Sequence, residues 1–139
     1  MNWLFYTSAL GWLATLLLAT GTLLPYLLRR TVLSEWLGTA RGTRPYLQRM
    51  WAHYWAGYLL FPMALAHAWI PMRAGNARGA NFAGLWIGTI SLMLLFLQTV
   101  LGLSLKSQGL TGRSRIRQVH WWIMLAVALT AGVHIWLNS

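Results

Sequence analysis

The chain has four histidines, and they come as two pairs: His53 with His67, and His120 with His134. The members of each pair are fourteen residues apart. Both pairs sit in apolar runs, RMWAHYWAGYLLFPMALAHAW and VHWWIMLAVALTAGVHIW. Imidazoles are costly in hydrocarbon, so four of them in such runs need a reason. Fourteen residues make two heptads, and a supercoiled helix therefore keeps both members of a pair on one face. At about 1.5 Å of rise per residue the two levels are ~21 Å apart. A zinc site takes three or four protein ligands, more than one histidine pair supplies. A di-iron carboxylate site needs several glutamates, and this chain has one acid, Glu35. Haem brings four nitrogens of its own and lacks only its axial ligands. The pattern therefore points to two b-type haems with bis-histidine ligation. His53 and His120 would hold the iron of one, and His67 and His134 the iron of the other. Taken singly, each histidine has an ordinary alternative role as a hydrogen-bond partner between membrane helices.

Such pairs need helices that run the right way. Apolar runs cover Trp3–Leu28, Met50–Ile70, Phe82–Leu105 and Val119–Leu137. Each is close to the ~20 residues that carry a helix across a bilayer core. A helix satisfies its own backbone groups there, as an isolated strand does not. The first run starts at MNWLFYTSALGW without a basic segment and continues to Leu28, so it is read as a span and not as a cleaved leader. Short connections make successive helices antiparallel neighbours. The expected fold is all-α: one domain over residues 1–139, an up-down four-helix membrane bundle with two stacked haems. Helices two and four then run parallel, and the histidines pair by depth. Pro62, between His53 and His67, is expected to kink helix two.

Composition agrees. The chain is 58% hydrophobic and 9% charged, outside the range of ordinary soluble domains. A net charge of +10 would suit nucleic acid if it formed a face, but the basic residues flank the apolar runs and no nucleic-acid partner is expected. Arg29, Arg30, Arg41, Arg44 and Arg49 lie between runs one and two, and Lys106, Arg113, Arg115 and Arg117 between three and four. Only Arg73 and Arg78 lie between two and three. The positive-inside rule puts the first and third connections in the cytoplasm and both termini outside, in a membrane read as a bacterial cytoplasmic one. His53 and His120 then form the inner site, and His67 and His134 the outer. Trp3, Trp36, Trp51, Trp69, Trp86, Trp121, Trp122 and Trp136 fall near run ends, where an aromatic belt meets lipid headgroups. The absence of cysteine excludes disulfides, covalently attached c-type haem, cysteine-ligated clusters and thiol catalysis.

Lesser signals surround the histidines. Gly88 and Gly102 on helix three are fourteen apart, as are Thr7 and Gly21 on helix one. Small residues let a wide ring pass, although glycine also serves close helix packing. Arg49 and Arg117 precede His53 and His120 by four and three residues, placing guanidinium groups where haem propionates could pair with them; Arg73 is the comparable outer candidate. Both arginine sets also serve as topology charges. A quinone site would need polar groups beside a haem edge. Candidates are Glu35, Ser34, Tyr46 and Gln48 on the inner side, and Asn76 and Asn81 on the outer.

With these residues in place the chain resembles the haem-bearing four-helix core of the cytochrome b family. The resemblance rests on His53 and His67, His120 and His134, Gly88 and Gly102, and R-x-x-H at Arg117–His120. It implies two stacked b haems that carry electrons across the membrane, lipid surroundings, and a quinone as exchange partner. The chain shows no PEWY-type quinol-oxidation motif and none of the family's later helices. The expected function is therefore that of a short diheme anchor subunit without catalytic residues of its own. It would link the quinone pool to a redox partner subunit of a larger oxidoreductase complex. Two rivals stand beside it. A small four-helix transporter would need an intramembrane carboxylate to couple protons, and no run contains Asp or Glu. A structural membrane subunit without haem would use the histidines only to join helices.

Overall fold

The computed structural model describes residues 3–30, 50–73, 81–106 and 112–138, with side chains over 5–23 in the first segment. All four segments are helical: α1 (Trp3–Arg30), α2 (Trp51–Arg73), α3 (Phe82–Lys106) and α4 (Arg113–Asn138). Three helices are long and apolar enough to cross a membrane, over Phe5–Leu23, Phe82–Lys106 and Arg113–Asn138. Of the four expected spans, α2 falls short of this apolar mark. That helix has 23 residues, but His53, His67, Pro62, Pro71 and five Trp or Tyr side chains dilute its apolar character.

The ends show what hydropathy misses. Apolar content stops at Val119, yet α4 begins six residues earlier at Arg113, because helix needs backbone pairing and not apolar side chains. Gly112 takes φ of 86° just before it, and its carbonyl accepts from the N–H groups of Arg115 (3.0 Å) and Ile116 (3.2 Å). Arg113 reaches back to the Leu105 carbonyl at 3.0 Å, satisfying an open acceptor at the end of α3. Asn81 caps α3, its Oδ1 accepting from Ala83 N–H at 3.0 Å. Pro71 does not end α2, which runs on to Arg73 and also continues through Pro62.

α1 packs along α2 and α3 along α4, with α2 against α3 and α1 against α4 closing the contacts. Among the described residues, α2 and α4 have no Cα pair within 8 Å, and neither do α1 and α3. The packed centre is small. Leu60 of α2, Leu95 of α3 and Val127 of α4 are buried to 8, 6 and 2% exposure, with Ala14, Leu17 and Leu18 of α1 against them. Their positions follow the heptad. Leu60 lies seven residues from His53 and from His67, and Val127 seven from His120 and from His134. Leu95 lies seven from Gly88 and from Gly102. One apolar layer therefore separates two histidine levels. Outward faces are the reverse of a soluble protein's. Trp12, Trp51, Trp69, Phe82, Trp86, Met93, Trp122, Leu129 and Trp136 are all more than half exposed. An apolar surface of this extent suits contact with lipid.

Candidate two-tier histidine site

The four histidines meet as two pairs, one on each side of the Leu60–Leu95–Val127 layer. At the first tier His53 faces His120, with ring centres 6.3 Å apart and planes at 80°. At the second tier His67 faces His134 at 6.2 Å and 89°. The pairing by depth expected from sequence is thus present, and it requires α2 and α4 to run in the same direction.

Each imidazole is also tied to a non-histidine helix. His53 donates its Nδ1–H to the Gly21 carbonyl at 2.9 Å, and His67 donates to the Thr7 carbonyl at 2.8 Å. His134 donates to the Gly84 carbonyl at 2.8 Å. A carbonyl only accepts, so these bonds put the proton on Nδ1 and leave the Nε2 lone pair open. Among the described residues, none of these three Nε2 atoms meets a hydrogen-bond partner. An outer partner on one ring nitrogen is also what fixes a histidine that binds metal through the other.

Glycines let the rings lie against the helices. A Cβ at Gly11 would come 2.9 Å from Cε1 of His67, and one at Gly88 would come 2.8 Å from Cε1 and Nδ1 of His134. Both distances are shorter than side chains tolerate. At Gly102 the distance to His120 Cε1 is 3.4 Å. Gly84 is buried, and a Cβ there would run into the Asn138 amide. Each acceptor carbonyl precedes its cradle position by four residues: Thr7 and Gly11, Gly84 and Gly88. The same step from Gly21 reaches Pro25, which has no N–H. The Gly21 carbonyl therefore lacks its usual donor within α1 and is free for His53. Thr7 and Gly21 are acceptor positions, while Gly88 and Gly102 are cradle positions. The two spacings seen in the sequence are thus real but offset by one turn. Gly11, Gly84 and Gln98 were missed; four-residue steps from Thr7, Gly88 and Gly102 would have found them.

His120 departs from the pattern. Its Nε2 lies 3.2 Å from Nε2 of Gln98, and among the described residues its buried Nδ1 has no partner, nor does Oε1 of Gln98. A half-open, mostly apolar cleft lies at this tier, with Gly21, His53, Gly57, Gln98, Gly102 and His120 among its walls.

The other candidates lie apart. Arg117 is exposed three residues before His120. Arg73 lies over the Trp69 ring at 5.2 Å. Asn81 is engaged as a helix cap. Arg49, Glu35, Ser34, Tyr46, Gln48 and Asn76 fall outside the described residues.

These facts test what the tiers could hold. Among the described residues no three His, Cys, Asp or Glu side chains converge to hold a bare metal ion. Two imidazoles on opposite sides of one metal, at about 2.0–2.1 Å per bond as for zinc, have ring centres about 6.3 Å apart. Both tiers show that separation. The histidine spacing therefore fits a planar group that brings its own equatorial ligands and lacks only two axial ones.

Fold and site together define an all-helical protein with membrane-length apolar helices and two levels of facing histidines. No protein-family model, curated protein or solved structure matches this chain.

Proposed function

We propose that this chain is a membrane-embedded diheme subunit of cytochrome b type. It is an up-down four-helix bundle in which His53 and His120 hold one b haem and His67 and His134 the other. The observation that carries this reading is the geometry of the pairs: facing imidazoles 6.2–6.3 Å apart on helices whose Cα atoms stay more than 8 Å from each other, three of them with Nδ1 locked to a carbonyl. Haem bound there supplies one-electron redox chemistry. The chain's residues do the rest. The Gly21, Thr7 and Gly84 carbonyls hold three rings in the tautomer that presents Nε2. Gly11, Gly88 and Gly102 let the imidazoles approach the helices. Leu60, Leu95 and Val127 exclude water between the tiers, whose spacing along the helices is ~21 Å. Arg117, and Arg49 by its position in the sequence, would pair with carboxylates of the group at the first-tier edge. The basic connections put the first tier at the cytoplasmic side and both termini outside. In this reading electrons pass between the quinone pool and a redox partner subunit on the other face.

The test is the haem content of full-length protein purified in detergent. Dithionite-reduced minus oxidised spectra should show b-type bands, and a pyridine haemochrome assay should give two haems per chain. A preparation that stays colourless with haem supplied during expression and afterwards defeats the reading. The structural-subunit alternative would then stand, with the same Nδ1–H bonds serving only to join helices.

A further inference from the structure

Both tiers are built on a fourteen-residue repeat, and on the α3–α4 side the repeat breaks at one place. His134 and His120 are fourteen apart, as are the cradles Gly88 and Gly102. The acceptor position is Gly84 at the second tier and Gln98 at the first. Gly84 offers only its backbone, and His134 bonds to it at 2.8 Å. Gln98 adds a carboxamide beside the ring. That amide engages His120 through Nε2, the nitrogen left open on the other three histidines, while Nδ1 goes without a partner among the described residues. This holds whichever way the amide is turned, because Nε2 of His120 meets either its N–H or its oxygen. The ring also lies farther from its cradle, 3.4 Å against 2.8 Å at Gly88.

We infer that Gln98 is a positioning residue that makes the first tier the weaker and faster-exchanging of the two haem sites. The inference rests on the haem reading above. Binding of iron at His120 has to displace the Gln98 amide, and it gains no Nδ1 anchor in return. Loss of such an outer partner typically lowers metal affinity by about 10–100-fold. The second tier has both anchors, and the Asn138 amide beside His134 meets Nδ1 at 3.5 Å and leaves Nε2 clear.

The experiment follows transfer of haem from the purified, fully loaded chain to excess apomyoglobin, read by absorbance. Wild type should release its haem in two equal phases, with rates about 10–100-fold apart. His120→Ala should retain only the slow component. Gln98→Gly copies the second-tier pattern and should slow the fast phase without changing the slow one. Slower release is the opposite of what a merely disrupted helix would produce, since glycine inside a helix weakens it. Gln98→Leu removes the amide without freeing the backbone, and should also slow the fast phase, by less. A fast phase that persists in His120→Ala, or is unchanged in both Gln98 variants, overturns the inference. A chain that holds two haems and releases them in one phase overturns it alone. A chain that never binds haem overturns the proposed function with it.

Discussion

At the second tier, His67 and His134 each donate Nδ1–H to a carbonyl and each lie over a glycine. At the first tier only His53 is tied in this way, while His120 faces a side-chain amide. The helices, spacings and ring separations are otherwise the same. A heptad repeat copies backbone geometry faithfully from one level to the next. It does not copy chemistry, because a single side chain at an acceptor position redirects the imbalance onto the ring nitrogen that matters. Two sites alike in outline can then differ in strength.

The comparison breaks most completely if one tier is removed. His67→Ala should leave one haem per chain at the first tier, and His120→Ala one at the second, by pyridine haemochrome assay. Loss of both haems from either variant would mean that the tiers are not independent sites. Next in size is the layer they share. Leu60 is seven residues from both histidines of α2 and is 8% exposed. Leu60→Ala should cost toward the lower end of the about 2–5 kcal/mol seen for such cavities, since lipid in place of water removes part of the transfer term. Thermal melts in detergent, followed at the haem bands, should show both tiers lost together at a lower temperature. Loss of one tier first would make Leu60 part of that tier.

How far the sequence foretold this depends on the level of structure. The histidine pairing was legible because two equal spacings on alternate helices leave little freedom in how they meet. The helices were legible from apolar length, but the start of α4 at Arg113 was not, since RSRIR is helical without being apolar. Asn81 shows the limit for polar residues. A lone asparagine outside a span looks available for a ligand, and only the structure shows its oxygen capping α3. The carbonyl anchors were hidden for another reason. Every residue has a carbonyl, so no residue type marks an acceptor. Gln98 was missed because a polar residue inside a span draws notice only once its distance to His120 is known.

The glycine cradles differ between the tiers by a smaller step. A Cβ at Gly88 meets His134 at 2.8 Å, whereas one at Gly102 meets His120 at 3.4 Å. Gly88→Ala should therefore push the second-tier ring aside at a cost near about 1 kcal/mol, the low end for overpacking, because an imidazole can tilt. Gly102→Ala should be close to neutral. Haem retention per tier after extended dialysis measures both. Equal losses would show that the rings are not held against α3 as closely as these distances require.

The smallest effect concerns Pro25. In an α-helix the N–H four residues on bonds each carbonyl, and Gly21 lacks that donor because residue 25 is proline. His53 therefore bonds the Gly21 carbonyl without competition from that donor, at 2.9 Å. A strong Nδ1–H bond makes an imidazole a better donor to iron and favours the oxidised state. Pro25→Ala returns an N–H that competes for the carbonyl. Partial loss of one hydrogen bond is worth about 0.5 kcal/mol, or about 20 mV for one electron. The first-tier midpoint should rise by that order in a spectroelectrochemical titration, with the second-tier midpoint fixed. Equal shifts at both tiers would point to a change in helix packing, whereas a first-tier shift alone assigns Pro25 to the control of one imidazole by one carbonyl.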